Sequence, residues 1–292
     1  MKKFYYLAAS MLLVVGMSLS SCTKEEGTEE EENNSGANTP SLNVSHEPST
    51  RNVILEEFTG NNCGYCPDGH ERVESLMATN PNVIGINIHT TSLASKYTTE
   101  FGSALYAQTG STGIPAGTVN RHVFSGSNTT LNRGYFAYYA NQMTSQPSCV
   151  NLAARARIDQ NSRVLTVDVA GYYTSNSAAS TNKLNVALIQ NNVVGYQSNY
   201  GDPLYNHDAY GDPSNLNTYR HQHMLRHLLT GQWGETISTT TAGSSFNKTY
   251  TYTIPTVIGD VAAVLENMEV VVFIAEGQQE IITGVKANMN IK

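Results

Sequence analysis

Beyond residue 19 this chain has no apolar run approaching the ~18 residues that a membrane-spanning helix requires, so lipid is the membrane attachment open to it. A basic stripe is missing as well, which excludes nucleic acid as a partner. Of the net charge of −7, residues 1–21 supply +2 and residues 22–50 supply −6, leaving a nearly neutral −3 on residues 51–292. Tryptophan occurs once, at Trp233, and the four cysteines are Cys22, Cys63, Cys66 and Cys149. That scarcity is affordable, because residues 51–292 are numerous enough to bury cores without disulfides.

What is present begins with Lys2, Lys3 and the apolar stretch from Phe4 to Leu19, which reads as a signal-peptide core. Leu19-Ser20-Ser21-Cys22 resembles a bacterial lipobox, so residues 1–21 are expected to be removed and Cys22 to carry lipid in the outer membrane. Residues 22–50 hold Glu25, Glu26, Glu29 to Glu32 and Glu47 among Asn, Ser, Gly, Thr and Pro, the composition of a disordered acidic tether. The run Thr23-Lys24-Glu25-Glu26 resembles a signal that sends lipoproteins to the cell surface.

Residues 51–147 alternate between two periods. Strands are expected at Val53 to Phe58 and Val83 to His89, and a strand pair at Thr118 to Phe124. Helices are expected at Pro67 to Met77, between Leu93 and Ala107, and at the aromatic-rich Leu131 to Met143. Cys63-Gly64-Tyr65-Cys66 follows the first strand and opens the first helix, the order of a thioredoxin-like α/β domain. The helix start would favour a thiolate on an exposed Cys63. Glu57 lies where thioredoxins carry a buried acid, and Ile114-Pro115 where they carry a cis-proline. There is no Trp before Cys63, and Gly64-Tyr65 replaces Gly-Pro, which leaves potential and substrate open.

From residue 149 to 292 the period becomes that of strands: Val150 to Ile158, Val164 to Tyr173, Leu184 to Gln190, Phe246 to Ile254, Glu269 to Ala275 and Ile281 to Ile291. An all-β antiparallel sandwich is expected, interrupted by a long insertion at 193–236. That insertion contains Tyr196, Tyr200, Tyr205, Tyr210 and Tyr219, a mixture with Asn, Ser and Gly that suits a binding loop for an extracellular protein or a glycan. Trp233 reads as an anchor for the loop. His207, His221, His223 and His227 offer nitrogen ligands at spacings that choose no metal site, and Asp202, Asn206, Asp208 and Asp212 lack EF-hand order. Cys149 is expected to be a buried thiol at the junction.

Glu56-Glu57-Phe58-Thr59-Gly60, Cys63, Cys66-Pro67 and Gly69-His70 together resemble the outer-membrane-protein-28-related lipoproteins. Tyr219, His221, His223, Leu225 and Arg226, then Gly231, Trp233, Gly234 and Glu235, continue the resemblance. It implies a thioredoxin-like domain followed by a β-rich domain on an outer-membrane lipoprotein of the kind described as surface antigens or adhesins. Two roles then compete. One is a binding or structural scaffold with a permanent Cys63–Cys66 bridge. The other is a thiol–disulfide oxidoreductase or isomerase in which Cys63 attacks, Cys66 resolves, Glu57 moves the proton and Pro115 shapes the groove. A cell-surface location weighs against the second, since it offers no evident electron source. No cofactor is implied by either.

Overall fold

The computed structural model describes residues 42–200, 211–212 and 214–292. Cys22, most of the acidic tether, Tyr205, Tyr210, His207, Asp202, Asn206 and Asp208 lie outside the described residues. In chain order the elements are β1 (Ser49–Thr50), β2 (Val53–Thr59), α1 (Cys66–Thr79), β3 (Val83–His89), α2 (Gly102–Gln108), β4 (Ala116–Val119), α3 (Phe136–Thr144), β5 (Pro147–Ser148), β6 (Val150–Ile158), β7 (Val164–Tyr173) and β8 (Asn182–Gln190). There follow β9 (Val193–Gly195), β10 (Tyr219–His221), β11 (Met224–Leu228), β12 (Glu235–Ile237), β13 (Ser245–Thr253), β14 (Val257–Ile258), β15 (Val261–Ala262), β16 (Met268–Glu276), β17 (Ile281–Lys286) and β18 (Asn288–Ile291). The fold is β-rich, with several sheets.

The main sheet has eight strands in the order β17-β16-β8-β11-β3-β2-β4, with β12 also pairing with β8. Strands from both sides of residue 148 therefore meet in one sheet. The joint is β11, which is antiparallel to β8 and parallel to β3. Strand parity explains how one sheet serves three cores, because alternate side chains leave opposite faces. On β8 and β16, Val186, Leu188, Val270, Val272 and Ile274 face a core shared with a four-stranded sheet, β13-β7-β6-β18. Ala187, Ile189, Val271, Phe273 and Ala275 face the other way, into a core that continues under Ile54, Phe58, Ile84, Ile86 and Ile88 and is covered by Phe101 and Leu105 around α2. Burial on both faces accounts for the nearly unbroken apolar runs of β8 and β16. At the β2–β3 end, Val53, Leu55 and Val83 meet Val73 and Leu76 of α1 and Phe136, Ala140 and Met143 of α3.

Several elements depart from the expected pattern. The segment Ile281 to Ile291 is two strands, not one: β17 joins the main sheet, whereas β18 runs parallel to β6 in the smaller sheet. Ala287 lies between them, and its amide donates to the Val270 carbonyl at 2.9 Å, so the chain changes sheets there. The expected strand pair at 118–124 ends at Val119, because Asn120 and Arg121 take positive φ values of 50° and 49°. α2 begins nine residues later than the start of its expected window, at Gly102. Among the described residues of 193–236, β9 and β10 pair with each other, while β11 and β12 enter the main sheet.

Candidate functional site

Two adjacent glutamates on β2 illustrate how parity builds the site. Glu56 points to the α2 side, where Arg121 grips it with Nε–Oε2 at 2.7 Å and Nη2–Oε1 at 2.5 Å, and the Thr118 hydroxyl donates at 3.1 Å. Both partners are buried, so this ion pair is fully supplied with donors. Glu57 points to the α1 side and is completely buried, with no hydrogen-bond partner on either carboxyl oxygen. Burial raises its pKa well above the ordinary carboxylate value, opposed by the charge of Arg133. It keeps company with the start of α1: a Cβ at Gly69 would overlap Glu57 Oε1 and stand 3.2 Å from Pro115 Cβ, so only glycine lets these three elements close together.

The CxxC motif sits directly above. Cys63 and Cys66 form a disulfide, with Cα atoms 5.4 Å apart. α1 starts at Cys66 with Pro67 in its first turn and Asp68 held by Arg72 and Arg133, an arrangement that suits a helix N-terminus. The Ile114–Pro115 peptide is cis, and the Ile114 carbonyl oxygen lies 3.8 Å from Cys63 Sγ. Thus Glu57, the two cysteines and Pro115, separated in the sequence, come together.

Cys63 was expected to be exposed, and here the structure corrects the sequence reading: Cys63 is 5% exposed and Cys66 0%. The segment 197–200 is tied across the backbone of the motif. The Gln197 side-chain amide donates to the carbonyls of Gly60 (3.2 Å) and Cys63 (3.0 Å), Ser198 N–H to Asn61 O (2.7 Å) and Tyr200 N–H to Gly64 O (3.3 Å). The Tyr200 ring covers Gly64, where a Cβ would meet it at 2.8 Å, and packs edge-on against Tyr65 with centroids 4.8 Å apart. Tyr200 is itself 68% exposed.

Behind the disulfide lies a cluster of rings that sequence reasoning did not assemble. His70 Nε2 is 2.7 Å from Thr59 Oγ1 and 3.6 Å from Glu57 Oε2, and its Nδ1 is 2.6 Å from the Tyr219 hydroxyl. His221 stands among His89, Tyr97 and Tyr219, with ring centroids 5.2, 4.7 and 4.9 Å away. All three histidines are buried. Burial lowers the pKa of His70 to about 4, against the pull of Glu74, and that of His221 to about 3, with His70 adding to the effect. For His89 burial, then His221 and His70, lower it well below the usual value. The rings are therefore neutral at physiological pH.

The other candidates disperse. His223 pairs with Glu74 at 2.9 Å, and His227 stacks on Tyr252 at 4.3 Å, so neither shares the environment of His221. Among the described residues no group of three or more His, Cys, Asp or Glu side chains is placed to hold a metal ion. Asp212 caps a local turn, accepting from Ser214 N and Oγ. Tyr219 belongs to the site through His70, whereas Trp233 packs against the α2-side core. Cys149 is half-buried and free, its thiol pKa raised by burial and then by Glu276. His70 and His221 stand in the two separate stretches that carry the family resemblance, and His221 also among the candidate nitrogen ligands, but nothing in the sequence placed them together; His89 carried no signal.

A β-rich fold with a buried CxxC disulfide defines the class. The family model described as "Outer membrane protein Omp28" matches residues 102–291. The chain belongs to this family. The matched span includes the Tyr219–Glu235 motif and begins after Cys63 and Cys66. Among solved structures, HBP35 of Porphyromonas gingivalis is similar with a TM-score of 0.66 at 18% identity, over 82% of this chain and 76% of that one. A domain of the outer membrane lipoprotein Omp28 from Porphyromonas gingivalis matches with a TM-score of 0.33 at 18% identity, over 50% of this chain and 91% of that domain. No curated protein matches.

Proposed function

We propose that this protein is a lipid-anchored, surface-displayed outer-membrane protein with a binding or structural role, and that Cys63–Cys66 is a standing disulfide within it. In this reading residues 51–147 form a thioredoxin-like unit, extended by strands of a C-terminal β-sandwich. Supporting the unit are the parallel β2–β3 pair, the antiparallel β4 and α1 rising from the CxxC. The observation that carries the scaffold role is the burial of both cysteines, beside a 197–200 segment hydrogen-bonded to the motif's backbone, which denies a partner thiol its line of attack. Lipid on Cys22 supplies the anchor, and the partner is an extracellular protein or glycan.

Insulin reduction by the purified protein with dithiothreitol as electron donor tests the role. Turnover no faster than dithiothreitol alone supports the scaffold; catalysed turnover overturns it. Protease added to intact cells tests display, since a body cut only after lysis faces the periplasm.

A second reading, thiol–disulfide exchange, is favoured by one feature. Glu57 is buried beside the motif with its pKa raised, so a protonated carboxyl is available to exchange a proton with Cys66. Trapping mixed disulfides through Cys63 in a Cys66→Ser variant on whole cells would establish it.

A further inference from the structure

The two large sheets end on β17, β4, β13 and β18. Three of these strands are guarded. β4 and β18 have four residues each, and Gly117 of β4 exchanges hydrogen bonds with Leu131 at 3.1 and 2.7 Å. β17 is met by the Asn52 side chain, which donates to the Gly284 carbonyl at 2.8 Å, and by the Asn120 carbonyl, which accepts from Ile281 N–H at 2.8 Å. β13 is different. It runs for nine residues, Ser245–Thr253, contains neither proline nor glycine, and pairs with β7 without a register shift.

The register fixes where β13 points its unused groups. Tyr173 N–H donates to Ser244 O and Ile254 N–H to Arg163 O, both at 2.9 Å, so the even-numbered residues carry the bonds to β7. The odd-numbered residues Ser245, Asn247, Thr249, Thr251 and Thr253 therefore turn N–H and C=O away from it. All five are exposed, and among the described residues none of these outward backbone groups has a partner. Proteins usually blunt so long an edge with proline, a bulge or free charge. The single charge on β13, Lys248, is already drawn to Glu235 at 2.5 Å.

We propose that β13 is a self-association edge, where two copies of this chain join antiparallel across a two-fold axis at Thr249. That register sets Thr249 against the second copy's Thr249, Asn247 against its Thr251 and Ser245 against its Thr253. It offers about ten backbone hydrogen bonds and lays hydroxyls beside hydroxyls or an amide on the outer face. On the inner face Phe246 meets the second copy's Tyr252, and Lys248 meets its Tyr250, whose hydroxyl donates to Glu235 Oε2 at 2.8 Å. Each Lys248 thus approaches the other copy's Glu235, and no like charges lie directly opposite. This match at every position, when the strand is read backwards against itself, selects a second copy over another extended segment. The inference goes beyond the scaffold role and does not depend on the state of Cys63 and Cys66.

Disulfide cross-linking of the purified full chain in detergent micelles, in a Cys149→Ser background, tests the register. Cα atoms paired at a hydrogen-bonded position stand about 5.5 Å apart, within disulfide reach, whereas the two copies' residues 247 would be offset by about 14 Å. Thr249→Cys should form a linked dimer on mild oxidation. Asn247→Cys and Thr251→Cys should each stay monomeric alone and cross-link when mixed. In sedimentation equilibrium, Thr249→Pro should weaken the dimer about tenfold or more, since proline removes an N–H that β7 does not use. Thr249→Lys, which sets like charges opposite, carries the same expectation if the proline variant fails to fold. A chain that stays monomeric at about 100 μM overturns the proposal. So does Thr249→Cys cross-linking no better than Asn290→Cys on the far edge of the same sheet, or a dimer that Thr249→Lys leaves unweakened. Equal cross-linking by all three single cysteine variants also overturns it, because that marks parallel stacking in place of the two-fold pair.

Discussion

At the β8–β16 end of the long sheet the space between it and the smaller sheet is filled by aliphatic side chains, and the buried Tyr173 hydroxyl finds Asn182 Oδ1 at 2.7 Å. At the β2–β3 end, Glu57 and His89 of the sheet meet His70 of α1 and His221 of β10, and several of their polar atoms find no partner. One sheet thus runs from a saturated apolar core to a buried titratable cluster. The first end holds the molecule together. The second tolerates polar groups that cost stability because the first supplies it.

The largest effect should come from breaking the buried ion pair of Glu56 and Arg121. Arg121→Leu leaves the Glu56 carboxylate buried without its cation and should cost about 3–5 kcal/mol in urea denaturation, whereas the Glu56→Leu/Arg121→Leu double variant should recover most of that loss. Next comes the apolar end. Leu188→Ala should cost about 2–5 kcal/mol, and by nearly the same amount at pH 5 and pH 8, because no ionisable group is involved. Unequal losses at the two pH values would erase the contrast between the ends.

The polar end should respond to acid. The unfolded chain protonates His70 and His221 below pH 6.5, while the folded chain resists until about 4 and about 3 respectively. Their contribution is complete above pH 6.5 and is lost as pH falls toward 4, by about 1.4 kcal/mol per pH unit for each ring. His70→Asn should flatten that limb in denaturation curves measured between pH 7 and 4. Glu57 works in the opposite sense. Its raised pKa keeps the proton in the folded state above 4.5, where the unfolded chain releases it, so its contribution fades as pH rises. Glu57→Gln should therefore help more at pH 8 than at pH 5. The smallest change is reserved for the surface: Lys248→Ala removes an exposed pair with Glu235 and should alter stability by less than about 1 kcal/mol.

How far the sequence carried depends on what set each element. β6 and β7 were legible to the residue, since their alternation is the direct imprint of one buried face. β11 was not, because Arg226 and His227 interrupt its apolar pattern; Arg226 is kept at the buried position by the Ile258 and Val261 carbonyls, a partnership no local window contains. The break at Ala287 escaped for a similar reason, being decided by which sheet each half joins. At the site, Cys63, Cys66, Glu57 and Pro115 could be aligned by spacing along one module. The tie from Gln197 to Cys63 could not, because it spans 134 residues. The histidine cluster draws on α1, β3 and β10, whose approach is set by the fold alone.

The pairing of β3 with β11 also imposes a timetable. A chain that emerges N-terminus first presents Val83–His89 long before Met224–Leu228 exists to cover its open edge. Until then an apolar strand bounded by bare N–H and C=O groups is a template for any neighbour. Production of this protein is thus safest when the nascent chain is escorted past residue 228, and a fragment ending near residue 148 should be recovered as aggregate instead of as a smaller folded protein.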